Sequence, residues 1–260
     1  TPSGVGVTTK ILRRWLALAL AGLAVVGSVV LTAGPSYASD SAKVYVVQGL
    51  PGQTVDVAVD GHVVARAVKT AAVVGPIAVK PGSRKVTFSD DGKVLLERMF
   101  SVKAKSSWDV VVHLPAASKS KPAVTVFRND TSAVPAGKAD LVVAHTAQVA
   151  PADIRVDGKV LFKNVANGQS LNLVVPVQTY KVAIVPAGKA KPVLLGPVDL
   201  TVKGGALNRV YALGNPADNT MNVAVHVIDT GTSGSKKPQR VDTGTGGQAV
   251  GLKSLASFWR

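Results

Sequence analysis

One stretch of the chain occurs twice, and the spacing between the copies limits what the chain can fold into. Residues 55–63 read VDVAVDGHV, and residues 152–160 read ADIRVDGKV. Asp60 and Asp157 hold the same place in the two copies, so the offset is 157 − 60 = 97 residues. Solenoid repeats are about 20 to 50 residues long, whereas a unit of this length can bury a core of its own. The spacing therefore predicts duplication of a whole domain.

Shorter matches extend the duplication on both sides of these segments. They are residues 44–47 with 141–144 at an offset of 97, residues 85–86 with 181–182 at 96, and residues 100–103 with 200–203 at 100. Small drifts in the offset are what insertions in surface loops produce, since loops tolerate changes in length. The duplication therefore covers most of the chain.

Each copy carries the pattern of a β-hairpin. Residues 55–59 alternate between valine and smaller or polar residues, which is typical of a half-buried strand. Asp60-Gly61 follows, and Asp157-Gly158 stands at the matching place; Asp-Gly favours the turns of tight hairpins. Short apolar runs broken by turn residues continue through both copies without sustained helical periodicity. The pattern predicts an all-β fold of two tandem immunoglobulin-like, antiparallel β-sandwich domains after an N-terminal signal helix.

The copies and the composition between them divide the chain into four parts. The junction, residues 131–138, reads TSAVPAGK, and residues 230–247 are mostly Gly, Ser, Thr, Lys and Gln, with too little apolar surface to fold. We expect a signal peptide at residues 1–38, a first β-sandwich at 39–131, a second at 138–229 and a flexible tail at 230–260.

The N-terminal part has the layout of an export signal. Lys10, Arg13 and Arg14 precede an apolar run over residues 15–31, and a proline and small residues then lead to Ala38. This order is typical of a secretory signal peptide cleaved after Ala38. An uncleaved membrane anchor is the alternative, because the run is about long enough to span a bilayer. Either interpretation places the remainder outside the cytoplasm, secreted or associated with the cell envelope. The chain has no cysteine, so its folding relies on burial alone.

Several phrases taken together resemble a known family. They are VYVVQG at 44–49, VDG at 59–61 and 156–158, FRND at 127–130, VAHTA at 143–147 and VPAG at 185–188. The chain resembles the secreted bacterial proteins of domain of unknown function 4397, in their two-repeat, actinobacterial form. The resemblance implies an extracellular β-sandwich module without an established activity.

The sequence predicts no catalytic, cofactor or metal site. Gly-x-Ser-x-Gly, the turn that carries a nucleophilic serine, does not occur in the part expected to fold. His145 has Gln48 at the matching place in the first copy, which argues against a shared catalytic histidine, so we expect a packed strand-end residue. The positions of structural interest are the repeated carboxylates, the turn glycines and this histidine, namely Asp56, Asp60, Gly61, His145, Asp153, Asp157 and Gly158.

The charge balance narrows the range of partners. The chain carries a formal net charge of +15, with basic clusters at residues 119–121 and 236–240. Such an excess favours either a solvated surface or attraction to anionic polymers of the cell wall or membrane surface. Nucleic acid is not expected, because no aromatic residues lie among the basic ones to stack on bases.

Three functions remain open from the sequence. The first is a non-enzymatic module of the cell envelope or extracellular space with a structural, adhesive or scaffolding role. The second is a secreted hydrolase or carbohydrate-processing enzyme, which needs convergent acids or a triad. The third is binding of a small ligand at the junction of the repeats, which a deep apolar cleft there would favour.

Overall fold

A computed structural model of the protein describes residues 40–233. The expected signal helix, and the tail beyond Ser233, lie outside the described residues. Within residues 40–233, no helix is both long enough and apolar enough to cross a membrane.

The first half folds into eight strands that form two sheets. The strands are β1 (Ala42–Gln48), β2 (Thr54–Val59), β3 (His62–Lys69), β4 (Val73–Val79), β5 (Gly82–Asp90), β6 (Lys93–Val102), β7 (Ser107–His113) and β8 (Ala123–Asn129). One sheet has the order β4-β1-β7-β8 and the other β3-β2-β5-β6. A shared core of buried side chains, rich in valine, packs the two sheets together. They form the first sandwich.

The second half repeats this topology strand for strand. Its strands are β9 (Val134–Pro135), β10 (Lys138–His145), β11 (Ala152–Val156), β12 (Lys159–Val165), β13 (Ser170–Pro176), β14 (Thr179–Pro186), β15 (Leu195–Thr201), β16 (Ala206–Leu213), β17 (Asn222–Asp229) and β18 (Thr232–Ser233). The sheets have the orders β13-β10-β16-β17 and β12-β11-β14-β15, and a core of their own joins them. They form the second sandwich, and a 3-10 turn at Pro216–Asp218 precedes β17.

The expected all-β sandwich fold is confirmed, with one parallel pair within the four-stranded sheets of each half. β1 runs parallel to β7, and β10 runs parallel to β16, while the other pairs within the four-stranded sheets are antiparallel. A parallel pair requires a long crossover, and here the segments from β2 to β6 and from β11 to β15 supply it. Their strands form the opposite sheet, except for β4 and β13, which pair with β1 and β10.

The sheets of the two sandwiches that contain these parallel pairs pack against each other. Val47, Val111 and Phe127 of the first sandwich share a buried cluster with Ala144 and Tyr211 of the second. Strand β16 is therefore buried on both faces along its whole length, which explains its continuous run of buried residues. Residues 40–233 therefore form four layers of sheet, with the interface between the sandwiches in the middle.

The chain remains paired for four residues beyond the expected start of the tail. Thr232 and Ser233 form β18 beside Val134 and Pro135 of β9, and the Val134 amide donates to the Gly231 carbonyl at 3.1 Å. Backbone hydrogen bonds do not require apolar side chains, so composition alone misses such a short pairing.

Candidate functional site

A buried group of polar side chains lies at the interface between the sandwiches. Asp109, in β7, is fully buried. Its Oδ2 accepts hydrogen bonds from the Tyr211 hydroxyl and from Nδ1 of His226 at 2.8 Å, and its Oδ1 accepts one from Nδ2 of Asn129 at 2.6 Å. Nε of Arg209 lies 3.9 Å from Oδ2. We call these five residues the interface cluster.

Arg209 is the cationic member of the interface cluster, and it reaches from β16 into the first sandwich. Its Nε donates to Oδ1 of Asn129 and its Nη2 to the Arg128 carbonyl, both at 2.9 Å. The guanidinium carbon lies 5.4 Å from the ring centroid of Phe127, within the range of a cation–π contact. A buried guanidinium needs such partners because burial removes its hydration.

Burial and negative charge set the ionisation of the neighbouring phenols. Burial, together with the Asp109 carboxylate, raises the pKa of Tyr211 well above its usual range. The same two causes raise the pKa of Tyr45, whose ring centroid lies 4.2 Å from that of His226. Tyr211 is therefore a neutral hydrogen-bond donor to the carboxylate throughout the physiological range.

The Asp109–His226 pair resembles half of a hydrolytic triad, but its surroundings are those of a structural contact. A triad needs a nucleophile on the second histidine nitrogen and room for a substrate. In the described part of the chain, no hydrogen bond joins Nε2 of His226 to a hydroxyl group, and only 7% of this histidine is exposed. The five side chains of the interface cluster are almost fully buried, and their hydrogen bonds and charges satisfy one another across the interface.

Asp109 and Arg209 are equivalent residues of the duplicated domain. Asp109 pairs with Tyr45 across β7 and β1, and Arg209 pairs with Val142 across β16 and β10. Tyr45 and Val142 are 97 residues apart, which is the offset of the repeats. The same position therefore carries a negative charge in one sandwich and a positive charge in the other.

Two further histidines lie buried at the ends of β7 and β10. Nδ1 of His113 donates to the Leu114 carbonyl at 3.0 Å, so its Nε2 accepts from the Thr125 hydroxyl at 2.8 Å. Burial lowers the pKa of His113, and the nearby His145 lowers it further. His113 is therefore neutral near pH 7.

His145 and Gln48 occupy equivalent strand ends. Gln48 closes its own loop, since its amide donates to the carbonyls of Leu50 and Gln53 at 3.2 and 2.8 Å. His145 has one long contact, from Nε2 to the Ala150 carbonyl at 3.4 Å, and its buried Nδ1 has no partner in the described part of the chain. Burial lowers the pKa of His145.

Asp56 and Asp153 accept equivalent backbone hydrogen bonds in the two sandwiches. Oδ1 of Asp56 accepts the amide of Ala67, and Oδ1 of Asp153 accepts the amide of Asn164, each at 2.8 Å. The two donor residues have positive φ values, 50° at Ala67 and 54° at Asn164, and each lies at a bulge in the second strand of its hairpin. Oδ2 of Asp153 also accepts the Gly188 amide at 2.9 Å. The amides of Asn164 and Gly188 lower the pKa of Asp153.

Asp60 and Asp157 start the hairpin turns. Asp60-Gly61 has φ values of 49° and 83°, and Asp157-Gly158 has 48° and 78°, so both are primed turns in which glycine takes a left-handed conformation without a steric cost. Oδ1 of each aspartate also accepts a lysine amide at 2.9 Å, from Lys85 in β5 and from Lys181 in β14. Both carboxylates therefore hold the backbone of their own sheet by hydrogen bonds.

The surface near the junction is polar. Two depressions of about 370 and 400 Å³ share Lys105, Ser106 and Thr131. The interface beneath them is filled by the interface cluster and by apolar packing, which counts against an apolar ligand at the junction. Within residues 40–233, no three His, Asp or Glu side chains converge as metal ligands.

Sequence reasoning did not single out the interface cluster. Asp109 and Arg209 are each the single charged residue of a largely apolar strand. A charge is rarely buried without a partner, so this pattern could have indicated a buried ion pair. Extending the matches at 100–103 and 200–203 along the chain would have aligned the two residues and shown their opposite charges. Contact between them depends on how the sandwiches pack, which the sequence does not encode locally.

Part of the chain matches a known protein family. Residues 42–154 match the family described as Domain of unknown function (DUF4397), which confirms the family resemblance over that segment. The match begins where β1 begins and ends within β11, so it spans the first sandwich and the start of the second. No curated protein matches the chain.

Proposed function

We propose that this chain is an exported, non-enzymatic module of the cell envelope or extracellular space with a structural, adhesive or scaffolding role. The observation that carries the proposal is the interface cluster. It uses Asp109, Arg209 and His226 to join the sandwiches into one body. Residues that would serve an enzyme as acid or base are here committed to holding the architecture.

The repeated carboxylates support the same proposal. Asp56, Asp60, Asp153 and Asp157 each accept at least one backbone amide, so they stabilise turns and bulges. Two sandwiches stiffened in this way hold a constant distance between surfaces at their far ends. A constant spacing is what a scaffold or adhesive module requires.

The partner that we propose is an anionic polymer of the cell wall or membrane surface. Without the expected signal peptide, residues 39–260 carry 27 basic and 15 acidic residues, a net charge of 27 − 15 = +12, which favours long-range attraction to anions that salt screens. Lys119 and Lys121 are exposed on the segment between β7 and β8, and no described ion pair engages them. This segment is the first part of the surface that we would test.

Retention on purified cell wall tests the proposal. We expect the full-length chain to bind at low salt and to be released as salt rises, and K119E/K121E to be released at lower salt. A matched control reverses Lys93 and Lys159, two exposed lysines at hairpin turns, and it has the same change in net charge. Absence of retention at low salt would overturn the electrostatic partner. Separately, recovery of the chain from the cytoplasm of its native host would overturn the proposed export.

A further inference from the structure

The second sandwich contains an apolar cavity between its two sheets. Its volume is about 190 Å³, and it opens between the edge strands β15 and β17. Its lining is aliphatic apart from Asp199 at the border, and it includes Val143, Ile184, Leu200 and Val225. An apolar cavity of about 150 Å³ is large enough to hold a benzene-sized molecule, so this one has room for an apolar group.

Two substitutions between the repeats account for the space. Phe88 pairs with Val57 in the first sandwich, and Ile184 pairs with Ile154 in the second, 97 residues after Val57. In the same way, Phe100 pairs with Arg84, and Leu200 pairs with Tyr180. Phe88 and Phe100 of the first sandwich are thus equivalent to Ile184 and Leu200 of the second. The phenyl rings fill space that the smaller aliphatic side chains leave open.

The cavity continues outward as an apolar strip. Val223, Val225 and Val227 alternate along β17 on the face turned toward the cavity, and Val225 and Val227 are 44% and 41% exposed. Because a strand rises about 3.3 Å per residue, the strip is about 13 Å long. A compact ring would fill the cavity alone, whereas a linear hydrocarbon chain would occupy both the cavity and the strip.

Charged groups lie beyond the ends of this apolar path. Lys203 pairs with Asp229 at the end of β17, and Lys181 pairs with Asp199 beside the cavity mouth. These lysines are more than half exposed, so each can contact a polar head group in solvent. The apolar lining thus ends at exposed ion pairs, and an apolar path with polar limits fits an amphiphile with one acyl chain.

We propose that the second sandwich binds a single-chain amphiphile, with its acyl chain in the cavity and along the Val223–Val227 strip. The ligand class is a monomeric fatty acid or a similar single-chain lipid. The site is independent of the proposed scaffolding role, because it involves neither the interface cluster nor the basic segment between β7 and β8.

Titration of the full-length chain with a dansyl-labelled undecanoic acid tests this proposal. We expect saturable binding at one site per chain, and displacement of the probe by lauric acid. The I184F/L200F variant fills the cavity with the side chains that the first sandwich already holds, and it should bind about tenfold more weakly or worse. The V225E variant places a charge on a side chain that is 44% exposed at the mouth, and it should also lose binding.

The matched control is Met99→Ser. Met99 is 57% exposed in the first sandwich, at the place equivalent to Asp199, so this variant should bind like the wild-type chain. Three outcomes would overturn the proposal: no saturable binding by the wild-type chain, undiminished binding by V225E or by folded I184F/L200F, or binding to phosphatidylglycerol vesicles without binding of the monomeric probe.

Discussion

Asp109 and Arg209 hold the same place in the two sandwiches and meet across the interface, with Nε of the arginine 3.9 Å from Oδ2 of the aspartate. Both side chains are buried. A duplication starts from identical residues, so this position has since diverged into opposite charges. Because a buried charge is stable only with its partners, each sandwich now depends on the other.

The first prediction concerns the loss of this charge. Asp109→Asn keeps the shape of the side chain but leaves the buried guanidinium of Arg209 without a counter-ion. We expect the free energy of unfolding to fall by about 3–5 kcal/mol, measured by urea denaturation. Asp40→Asn removes one partner of an exposed pair with Lys105 and should cost less than about 1 kcal/mol. Equal losses in the two variants would show that Asp109 has no special role.

The second prediction concerns the buried histidines. Burial lowers the pKa of His113 and His145, so below about pH 6.5, the usual pKa of histidine, the unfolded chain binds protons more readily than the folded chain. Stability should therefore decline from about pH 7.5 to about pH 5.5, with each histidine contributing up to about 1.4 kcal/mol per pH unit.

Substitution of one histidine tests the source of that decline. His145→Gln installs the residue that stands at the equivalent place, Gln48, and it should flatten the pH dependence of the urea midpoint. His62→Gln changes an exposed side chain and should leave the slope as it is in the wild-type chain. An unchanged slope in His145→Gln would refute the assignment.

The third prediction concerns the carboxylate that holds the bulge in β12. The amides of Asn164 and Gly188 lower the pKa of Asp153, so these bonds stabilise the fold above the unfolded pKa of about 3.9. That contribution is lost as the pH falls through the lower pKa of the folded chain. Asp153→Asn should destabilise the protein at neutral pH and differ less from wild type in strong acid.

Carboxyl NMR titration measures the Asp153 pKa directly, and thermal unfolding across the acid range measures the loss. Asp91→Asn, in an exposed hairpin turn, is the control and should keep the wild-type pH profile. A destabilisation by Asp153→Asn that is the same at neutral and strongly acidic pH would contradict the role of the charged carboxylate.

The fourth prediction concerns the close approach of the sandwiches at Gly49. A Cβ atom there would lie 2.6 Å from the Val112 carbonyl oxygen and 2.7 Å from Cδ2 of Leu213 in the second sandwich. Gly49→Ala should therefore destabilise the protein by about 1–3 kcal/mol, because the packed interface has to shift. Val94→Ala, at an exposed position in β6, should stay within about 0.5 kcal/mol. A stable Gly49→Ala variant would mean that the interface is looser than described.

Local features of the fold could be predicted from the sequence, and contacts between distant residues could not. Asp60-Gly61 and Asp157-Gly158 predicted hairpin turns correctly, because Asp-Gly favours left-handed backbone conformations by itself. The parallel pairing of β1 with β7 was not predicted, because a whole sheet intervenes along the chain. The cluster around Asp109 was missed for the same reason: its members lie 80 to 117 residues apart where they cross the interface.

The cavity shows a different limit. Ile184 and Leu200 are ordinary core residues in the sequence, and nothing in their local pattern distinguishes them from other strand residues. Only strand pairing shows that they are equivalent to Phe88 and Phe100, and only this comparison shows that they leave volume unfilled. A core accepts aliphatic and aromatic side chains alike, so pattern alone does not reveal unfilled volume.

The opposite charges at Asp109 and Arg209 also decide which assemblies the chain can form. The equivalent faces of the two sandwiches meet, as the two copies do in a symmetric dimer. A dimer of two first sandwiches would bring one Asp109 against another, and a dimer of two second sandwiches would oppose two Arg209 guanidinium groups. Like charges brought together in a buried interface repel, so separated halves should recognise each other and reject themselves. The opposite charges thus make the contact between the two sandwiches of one polypeptide an exclusive one.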